Sequence, residues 1–423
     1  MHDPQQALPQ TRRHFMKTTA ALGVAALTAN AVEAGATPTL RVGLIGCGRR
    51  GAGAARDCVT SAEGVVIAAM GDLFPDKLAE CREKLGQTPE KVTATDETCF
   101  TGFDAYQKVI ACDVDMVIIA TPPGFRPLQL RAAIEAGKHV FMEKPAAVDP
   151  AGVRSIIESS ELAANKGLSI VAGTQRRHQR CYQETIKRIH EGAIGDIVSA
   201  ECYWVDDFGY YPAVLREADW SDMEWQIRNW NYFTWLSGDH IVEQHVHNID
   251  VINWVLRAHP VKAFGMGGRQ QRTGPEFGHI YDHFAVEFEY PGGIRVTSMC
   301  RQNASTYSRV DEFIVGSKGT SRPREEITGP NAFRFQGEAP NPYVQEHADL
   351  IGCIRTGVPI NEGRAVAEST MAAIMGRMAA YTGQEVTWDW AMNESKLNLW
   401  PETLEFGPMP TPPVAVPGYT QLI

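Results

Sequence analysis

The sequence predicts an α/β protein with two domains, a doubly wound parallel sheet followed by an α+β domain with a large, open and mostly antiparallel sheet. Short apolar runs that alternate with helical segments between residues 40 and 172 indicate the first, because this is the pattern of parallel βαβ units. The alternating runs 284–290 and 294–299 indicate the second, and Pro291, Gly292 and Gly293 join them as a hairpin. With 423 residues, 44% of them hydrophobic, the chain can bury a core in each domain.

The N-terminus carries an export pattern. Residues 11–17 read Thr-Arg-Arg-His-Phe-Met-Lys, a twin-arginine motif, and an apolar run from Ala20 to Ala29 follows. That run is about half of the roughly 20 residues that a membrane-spanning helix needs, so no stable membrane anchor is expected. We predict that residues 1–36 are a Tat signal peptide, cleaved after Ala31 or Ala36, and that the Tat export machinery delivers the protein to a periplasmic or other extracytoplasmic location. The alternative is an N-terminal arm that stays attached.

A glycine-rich turn follows the first predicted strand, Leu40–Ile45. Its G-x-G-x-x-G residues are Gly46, Cys47, Gly48, Arg49, Arg50 and Gly51. In a strand–turn–helix unit the first glycine permits the tight turn, the second lets a pyrophosphate approach the backbone, and the third lets the helix pack closely. The N-terminus of that helix favours the anion. The turn therefore predicts a dinucleotide-binding Rossmann domain over residues 37–175, with Gly46, Gly48, Arg49, Arg50 and Gly51 at the cofactor.

The second predicted strand, 65–72, ends in Asp72, at the usual distance from the glycines for a ribose-binding acid. A carboxylate there accepts hydrogen bonds from the ribose 2′-hydroxyl and repels a 2′-phosphate. We therefore predict that the cofactor is NAD and that NADP is disfavoured. Since free NAD is scarce outside the cytoplasm and the Tat pathway exports folded proteins, tight binding of NAD is expected.

Two further strand ends supply candidate cofactor residues. Thr121 and Pro122 follow the apolar run 116–120, and Glu143 and Lys144 follow the run that ends at residue 142. Ligands bind beyond the carboxyl ends of the strands in a parallel sheet, so all four residues are predicted at the cofactor. Lys144 could instead be a solvated surface charge. Glu143 and the proline after Lys144 favour the cofactor site, because they set the chain direction where the nicotinamide is expected.

The order of these motifs, with Ala-Thr-Pro, Glu-Lys-Pro and a late histidine, resembles the Gfo/Idh/MocA family of sugar and inositol oxidoreductases over nearly all of the chain after residue 36. The resemblance implies that Lys144 is catalytic and that a D-x-x-x-H motif supplies an acid and a base. Here that motif reads Glu243-Gln244-His245-Val246-His247, so Glu243 and His247 are the implied catalytic partners, with glutamate in place of the usual aspartate. The family's histidine after Thr-Pro is replaced by Gly124-Phe125-Arg126, which predicts a reshaped substrate pocket.

The spacing of polar residues in segment 238–256 predicts one helix with a polar stripe. Positions 240, 243, 247 and 250 share a face of such a helix, and a polar stripe in an apolar segment is costly to bury unless it lines a site. One alternative is that His240, Glu243 and His247 bind a divalent metal. Because hydride transfer to NAD needs no metal, no metal site is predicted.

The second domain, 176–400, is expected to bind the substrate and to form the contacts of a homodimer or homotetramer, as the resemblance implies; residues 401–423 form a Pro-rich C-terminal tail. Aromatic faces beside amide and guanidinium donors suit sugar rings, and the alternative is that this aromatic segment forms a core or subunit contact. The predicted substrate-binding residues are Arg176, Arg177, Trp230, Tyr232, His240 and His247.

The formal net charge of −10 makes nucleic acid an unfavourable partner. The predicted function is an exported NAD-dependent oxidoreductase that transfers a hydride between nicotinamide and a hydroxyl carbon of a sugar, glycoside or cyclitol. Two alternatives remain open: a redox-neutral NAD-dependent glycosidase that oxidises, eliminates and reduces, and a non-catalytic or metal-assisted sugar-binding protein.

Overall fold

Apolar strands alternating with helices build the first half of the protein around a parallel sheet, as predicted. The computed structural model describes residues 38–206 and 212–423, so the predicted signal peptide lies outside the described residues. The sheet has six parallel strands in the order β3-β2-β1-β4-β5-β6. They are β1 (Leu40–Ile45), β2 (Val65–Asp72), β3 (Cys99–Thr101), β4 (Met116–Ile119), β5 (His139–Met142) and β6 (Ile170–Ala172). The direction of winding reverses between β1 and β4, and ligands bind at such a switch point.

The helices that connect these strands cover both faces of the sheet. They are α1 (Arg49–Ser61), α2 (Pro75–Leu85), α3 (Ala105–Ala111), α4 (Arg126–Glu135) and α5 (Pro150–Asn165). Every residue of β4 is buried, as expected for a central strand covered on two faces.

The second sheet has nine strands in the order β14-β13-β12-β11-β7-β10-β9-β8-β15, and all neighbouring pairs are antiparallel except β7 with β10. The strands are β7 (Ile197–Asp206), β8 (Lys262–Gly268), β9 (His283–Tyr290), β10 (Ile294–Gln302), β11 (Arg309–Gly316), β12 (Gly319–Arg322), β13 (Glu326–Thr328), β14 (Phe333–Arg334) and β15 (Val386–Thr387). The predicted hairpin is confirmed as β9 and β10, which pair around Pro291–Gly293. Thus the α/β fold with a parallel and a mostly antiparallel sheet is confirmed.

The remaining helices lie between and after these strands. They are α6 (Arg180–His190), α7 (Asp222–Arg228), α8 (Thr234–Ser237), α9 (His240–Glu243), α10 (Val246–Leu256), α11 (Pro342–Thr356), α12 (Gly363–Thr382) and α13 (Trp388–Asn393). The prediction of one continuous helix over 238–256 is wrong, because Gln244 and His245 separate α9 from α10. Asp239 precedes α9 with a φ of +78°, and its carboxylate accepts a hydrogen bond from the His240 N–H, so a separate turn starts there.

Helix α12 is shared by the two sheets. Most of its residues are buried, as expected for a helix that is apolar on nearly all sides, and it packs against α5 on one side and β8 and β9 on the other. Its buried Arg377 donates hydrogen bonds to the carbonyls of Val148 (2.8 Å) and Gly238 (2.9 Å). These carbonyls lie shortly after the Glu-Lys-Pro segment and just before α9.

Within the described ranges, no helix combines the length and the apolar character required to cross a bilayer.

Candidate active site

The glycine turn after β1 has the geometry that a dinucleotide needs. Gly46 has a φ of +93°, and a Cβ there would lie 2.7 Å from the Thr121 nitrogen. A Cβ on Gly51 would lie 1.8 Å from the Gly46 carbonyl oxygen, so these two glycines are required by the fold itself. Gly48 differs, because a Cβ there would meet nothing within 4 Å. Its backbone is open to an approaching ligand.

Helix α1 begins at Arg49 and directs its N-terminus at a cleft of about 920 Å³. Gly48 is the N-cap residue, and no side chain hydrogen bonds to cap this end among the residues described. The free N–H groups and the positive end of the helix dipole therefore suit a pyrophosphate. Of the ten predicted cofactor residues, nine line the cleft: Gly46, Gly48, Arg49, Arg50, Asp72, Thr121, Pro122, Glu143 and Lys144. Gly51 is the exception, since it lies beneath the turn.

Asp72 ends β2 and lines the same cleft. Its carboxylate accepts hydrogen bonds from the backbone N–H of Cys47 (2.6 Å) and of Phe74 (2.9 Å). Burial raises the pKa of Asp72, and these two N–H groups oppose that shift. They hold the carboxylate beside the glycine turn, where it can accept the ribose hydroxyls of NAD.

The side chain of Arg50 lines the cleft and joins three segments. Its guanidinium pairs with Glu143 at 2.5 Å and with Glu346 of α11 at 3.1 Å, and it lies 5.0 Å from the centre of the Tyr343 ring. Glu346 is fully buried, so its charge depends on this partner. Arg50 thus links the glycine turn to the Glu-Lys-Pro segment, in addition to any contact of its backbone with the cofactor.

Lys144 and Glu243 meet across the cleft. The Lys144 ammonium donates to a Glu243 carboxylate oxygen at 2.9 Å and to the Glu243 carbonyl oxygen at 2.5 Å. Both side chains are about one-tenth exposed or less, so this ion pair is largely shielded from water. Strand β5 positions the lysine and the short helix α9 positions the glutamate.

His247 lies in the first turn of α10 and lines the same cleft. Its ring stacks near the indole of Trp204 from β7, with ring centres 5.9 Å apart. Burial lowers the pKa of His247 well below 6.5, and the nearby cations Lys144, Arg176 and Arg50 lower it further. The imidazole is therefore neutral near neutral pH and has a free lone pair to accept a proton.

The structure brings together only two of the six predicted substrate-binding residues. Trp230 and His247 line the cleft, whereas Arg176, Arg177, Tyr232 and His240 do not. Each of the four has another environment. Arg176 pairs with buried Glu312, and Arg177 makes two hydrogen bonds to Asp250 at 2.8 and 2.9 Å.

The other two residues are buried in the core. The Tyr232 hydroxyl accepts a hydrogen bond from Arg272 at 2.7 Å. Burial lowers the pKa of His240 to about 3, so this side chain is neutral inside the protein. The structure thus places both residues outside the cleft lining, although the sequence places Tyr232 in an aromatic segment and His240 on the polar stripe. Their role in substrate binding stays a prediction.

The residues of the alternative metal site are not arranged as a set of ligands in the part of the chain that the structure describes. Among residues 38–206 and 212–423, no group of three or more His, Cys, Asp or Glu side chains is arranged to hold a metal ion. The break between α9 and α10 removes the regular spacing on which a site of His240, Glu243 and His247 depended. Glu243 pairs with Lys144 instead.

Several residues that line or support the cleft were not predicted. Trp204 covers His247 from the second sheet, and Arg126 donates hydrogen bonds to the carbonyls of Thr121 (2.8 Å) and Pro145 (2.5 Å). Arg126 thereby ties the two segments that follow β4 and β5. Its position after Thr121 and Pro122 was a usable signal, since it replaces the histidine of the family pattern. Nothing in the sequence indicated the position of Trp204, because the alternation of residues in a strand does not show which face of the sheet covers the cofactor cleft.

Two family models match the chain. The model described as an oxidoreductase family with an NAD-binding Rossmann fold, GFO_IDH_MocA, matches residues 40–173, and the GFO/IDH/MocA C-terminal domain matches residues 182–322. Among characterised relatives, the chain is 28% identical to inositol 2-dehydrogenase 3 from Saccharopolyspora erythraea over 74% of this chain and 81% of that protein. It is 25% identical to inositol 2-dehydrogenase from Azotobacter vinelandii, over 71% of this chain and 77% of that protein.

Solved structures show the same fold. The scyllo-inositol dehydrogenase from Lactobacillus casei with bound NAD(H) and scyllo-inositol has a TM-score of 0.63 and 22% identity, over 82% of this chain and 99% of that one. The aldose-aldose oxidoreductase from Caulobacter crescentus has a TM-score of 0.64 and 19% identity, over the same shares of the two chains. The two family models together span well over half of the chain and include the glycine turn, Asp72 and the Lys144–Glu243 pair. The chain therefore belongs to the Gfo/Idh/MocA family of NAD-binding oxidoreductases.

Proposed function

We propose that the protein oxidises a ring hydroxyl carbon of a cyclitol or sugar, uses tightly bound NAD as the hydride acceptor, and works outside the cytoplasm. The observation that carries this proposal is the position of Lys144, Glu243 and His247 in the cleft that the glycine turn and Asp72 also line. A cation, a carboxylate and a neutral imidazole at the nicotinamide end are the groups that alcohol oxidation needs.

Lys144 is suited to stabilise the substrate oxygen. An ammonium has three N–H donors, and two of them are used by the Glu243 carboxylate and carbonyl. The third can donate to a substrate hydroxyl. As the hydroxyl loses its proton, negative charge grows on its oxygen, and a fixed cation in a shielded site lowers the energy of that state. Glu243 holds the lysine in place and balances its charge.

His247 is suited to accept the hydroxyl proton. It is neutral before reaction, because burial and the nearby cations disfavour its protonated form. As the hydride leaves the carbon, the hydroxyl on that carbon becomes more acidic, so transfer of its proton to His247 becomes easier as the reaction proceeds. NAD held by the glycine turn and Asp72 would supply the hydride acceptor, and loss of the hydride and the proton would turn the alcohol into a ketone or lactone. The Trp204 indole lies beside the imidazole, with ring centres 5.9 Å apart.

The lining of the cleft favours a polyhydroxylated ring as substrate. Trp204 and Trp230 supply aromatic faces, and Gln175, Asn231 and Gln244 supply amide groups. Aromatic faces pack against the C–H faces of such rings, while amides bind hydroxyls. The relatives named inositol 2-dehydrogenase and the solved scyllo-inositol complex support a cyclitol, and the aldose-aldose oxidoreductase supports a sugar.

The test starts with the purified mature protein. Denaturation should release bound nucleotide, which mass analysis identifies as NAD, and the intact protein is then mixed with inositol isomers and pyranosides while NADH absorbance is followed. A rise in absorbance with a product two hydrogen atoms lighter supports the proposal. A hydrolysed glycoside without net NADH would instead indicate the redox-neutral glycosidase. Absence of bound nucleotide and of any response to added NAD contradicts the oxidoreductase.

The export part of the proposal rests on Arg12 and Arg13 and the apolar run after them. The change of both arginines to lysine should leave the precursor in the cytoplasm, because the twin-arginine pair is what the export machinery reads. Cell fractionation with an activity measurement checks this. Equal export of the wild type and the double variant would contradict it.

The open face of the second sheet supports self-association as a homodimer or homotetramer. Met266 and Met299 flank Ala285 in adjacent strands and are exposed, and Phe264 is exposed in the same strand as Met266. An apolar surface of this kind is typical of a subunit interface. A Met266→Glu, Met299→Glu double variant should shift the protein to the monomer in light scattering after gel filtration. An unchanged mass would contradict the proposal that this face of the sheet is the subunit interface.

A further inference from the structure

The C-terminal segment packs against aromatic residues that line the cofactor cleft. Trp400 packs edge-on against Phe125, with ring centres 5.4 Å apart. Further along, Phe406 stacks on Phe74 at 5.9 Å and contacts Phe103 at 5.2 Å. Phe74, Phe103 and Phe125 all line the cleft. We call residues 400–409 the C-terminal strap.

The strap is also attached to α7 by hydrogen bonds. The Met223 N–H donates to the Gly407 carbonyl at 3.2 Å, and the Met409 N–H donates to the Asp222 carboxylate at 3.0 Å. The Gln226 amide donates to the Met409 carbonyl at 2.6 Å. The strap therefore joins α7 to the loops that follow β2 and β3.

These loops border the adenosine half of the cleft. Asp72 marks the ribose position, and Phe74 and Phe103 follow β2 and β3, on the side of the switch point away from Lys144. Arg228 of α7 reaches the same place, since its guanidinium lies 3.8 Å from the centre of the Phe74 ring and 3.1 Å from the Asp76 carboxylate. Arg228 and Phe406 therefore both pack on the same cleft-lining phenylalanine, Phe74.

We propose that the C-terminal strap, through Phe406, retains the adenosine half of the dinucleotide and makes NAD a slowly exchanging cofactor. The inference rests on the proposed function, in which NAD is the hydride acceptor. Phe406 acts through Phe74 and Phe103, so it is a positioning residue for the cofactor. Release of NAD requires these rings to separate, because they hold the loops beside Asp72 against α7.

Phe406 can be changed without opening the core. It is 46% exposed, and its ring contacts are with the cleft-lining phenylalanines. Tyr419 supplies a matched control, because it is an aromatic residue of the same tail and is 86% exposed. Tyr419→Ala removes a similar ring at a surface position that the proposal does not involve.

The experiment measures exchange of bound NAD in the full-length holoenzyme. Wild type, Phe406→Ala, Phe406→Trp and Tyr419→Ala are loaded with NAD and mixed with an excess of isotope-labelled NAD, and bound nucleotide is followed by mass spectrometry. Two aromatic contacts are lost in Phe406→Ala, which predicts exchange roughly ten-fold faster than wild type. Phe406→Trp should restore slow exchange, and Tyr419→Ala should exchange at the wild-type rate.

Exchange in Phe406→Ala at the wild-type rate overturns the strap proposal, and so does faster exchange in Tyr419→Ala to the same extent. The melting temperature of the NAD-free protein distinguishes an effect of Phe406 on the stability of the fold from an effect on NAD exchange. A lower melting temperature of Phe406→Ala with unchanged exchange also overturns the proposal. If the wild type holds no NAD, both the proposed function and the strap proposal fail. If wild type binds NAD and turns over substrate while Phe406→Ala exchanges normally, the strap proposal alone fails.

Discussion

Replacement of Lys144 by methionine separates the electrostatic role of the lysine from its packing, since methionine keeps most of the side-chain length. The change removes the ammonium that lies 2.9 Å from the Glu243 carboxylate and leaves that carboxylate largely buried without its partner. Loss of one partner of a buried ion pair costs ~3–5 kcal/mol of unfolding free energy. Loss of one fixed donor to a developing oxyanion lowers kcat by roughly 100- to 1,000-fold.

The same variant changes the pH dependence in a defined direction. The pKa of His247 is lowered first by burial and next by Lys144, so removal of the lysine raises it. The acid limb of kcat/KM, which reports loss of the neutral imidazole, lies below pH 6.5 in the wild type and should move upward in Lys144→Met. The assay is NADH formation at several pH values, together with urea unfolding.

A double variant, Lys144→Met with Glu243→Gln, is the control. It removes the unpaired buried carboxylate, so its unfolding free energy should recover toward the wild type while its activity stays low. An acid limb that stays in place or moves downward in Lys144→Met would refute the electrostatic coupling to His247. A double variant no more stable than the single one would refute the contribution of the ion pair.

Further predictions concern the glycine turn, the ribose acid and the buried histidines. Gly48→Ala should fold with wild-type stability but bind NAD weakly in calorimetry, because its Cβ contacts no protein atom and occupies space that the ligand needs. Gly51→Ala should melt at a lower temperature, because its Cβ collides with the Gly46 carbonyl oxygen. Asp72→Ser should weaken NAD binding by about ten-fold relative to NADP binding, measured by titration, since it loses a charge-assisted hydrogen bond worth ~1.5–3 kcal/mol at most. Three histidines have pKa values of about 3, 3 and 4, lowered by burial: His240, His245 and His279. Their stabilising contribution is present above pH 6.5 and is lost as pH falls toward 4, at ~4 kcal/mol per pH unit for the three together, which urea unfolding at a series of pH values measures.

The first sheet and the cofactor turn could be predicted from the sequence because the signals are local. Each strand is a short apolar run. Gly46 and Gly51 are required by the turn itself, Gly48 leaves the backbone open to a ligand, and the spacing of the three glycines is enough to predict the turn. The position of Asp72 at the cofactor could be predicted in the same way, because the carboxyl ends of the strands in a parallel sheet lie at one edge. These are interactions between neighbours in sequence or between strands of fixed order.

The substrate side was less predictable, because it depends on how the second sheet packs on the first half. Ideal helix spacing placed His240 beside Glu243 and His247 on one helix. In the structure Gln244 and His245 separate α9 from α10, and His240 is buried outside the cleft lining. Arg176 and Arg177 follow a strand end, yet buried carboxylates far along the chain take both guanidiniums. Tertiary packing determines which carboxylate pairs with a buried guanidinium, and the sequence contains several carboxylates that could do so.

The position of Arg377 in α12 has a consequence for cooperativity. One guanidinium nitrogen hydrogen bonds to the carbonyls of Val148 and Gly238, so one rigid helix spans the segments that carry Lys144 and Glu243. Because α12 is the common core of both sheets, neither half can unfold while the other keeps its packing intact. The protein should therefore unfold in a single transition, and limited proteolysis near residue 176 should not release a folded NAD-binding fragment. Two regions that look like separable modules along the chain behave as one folding unit.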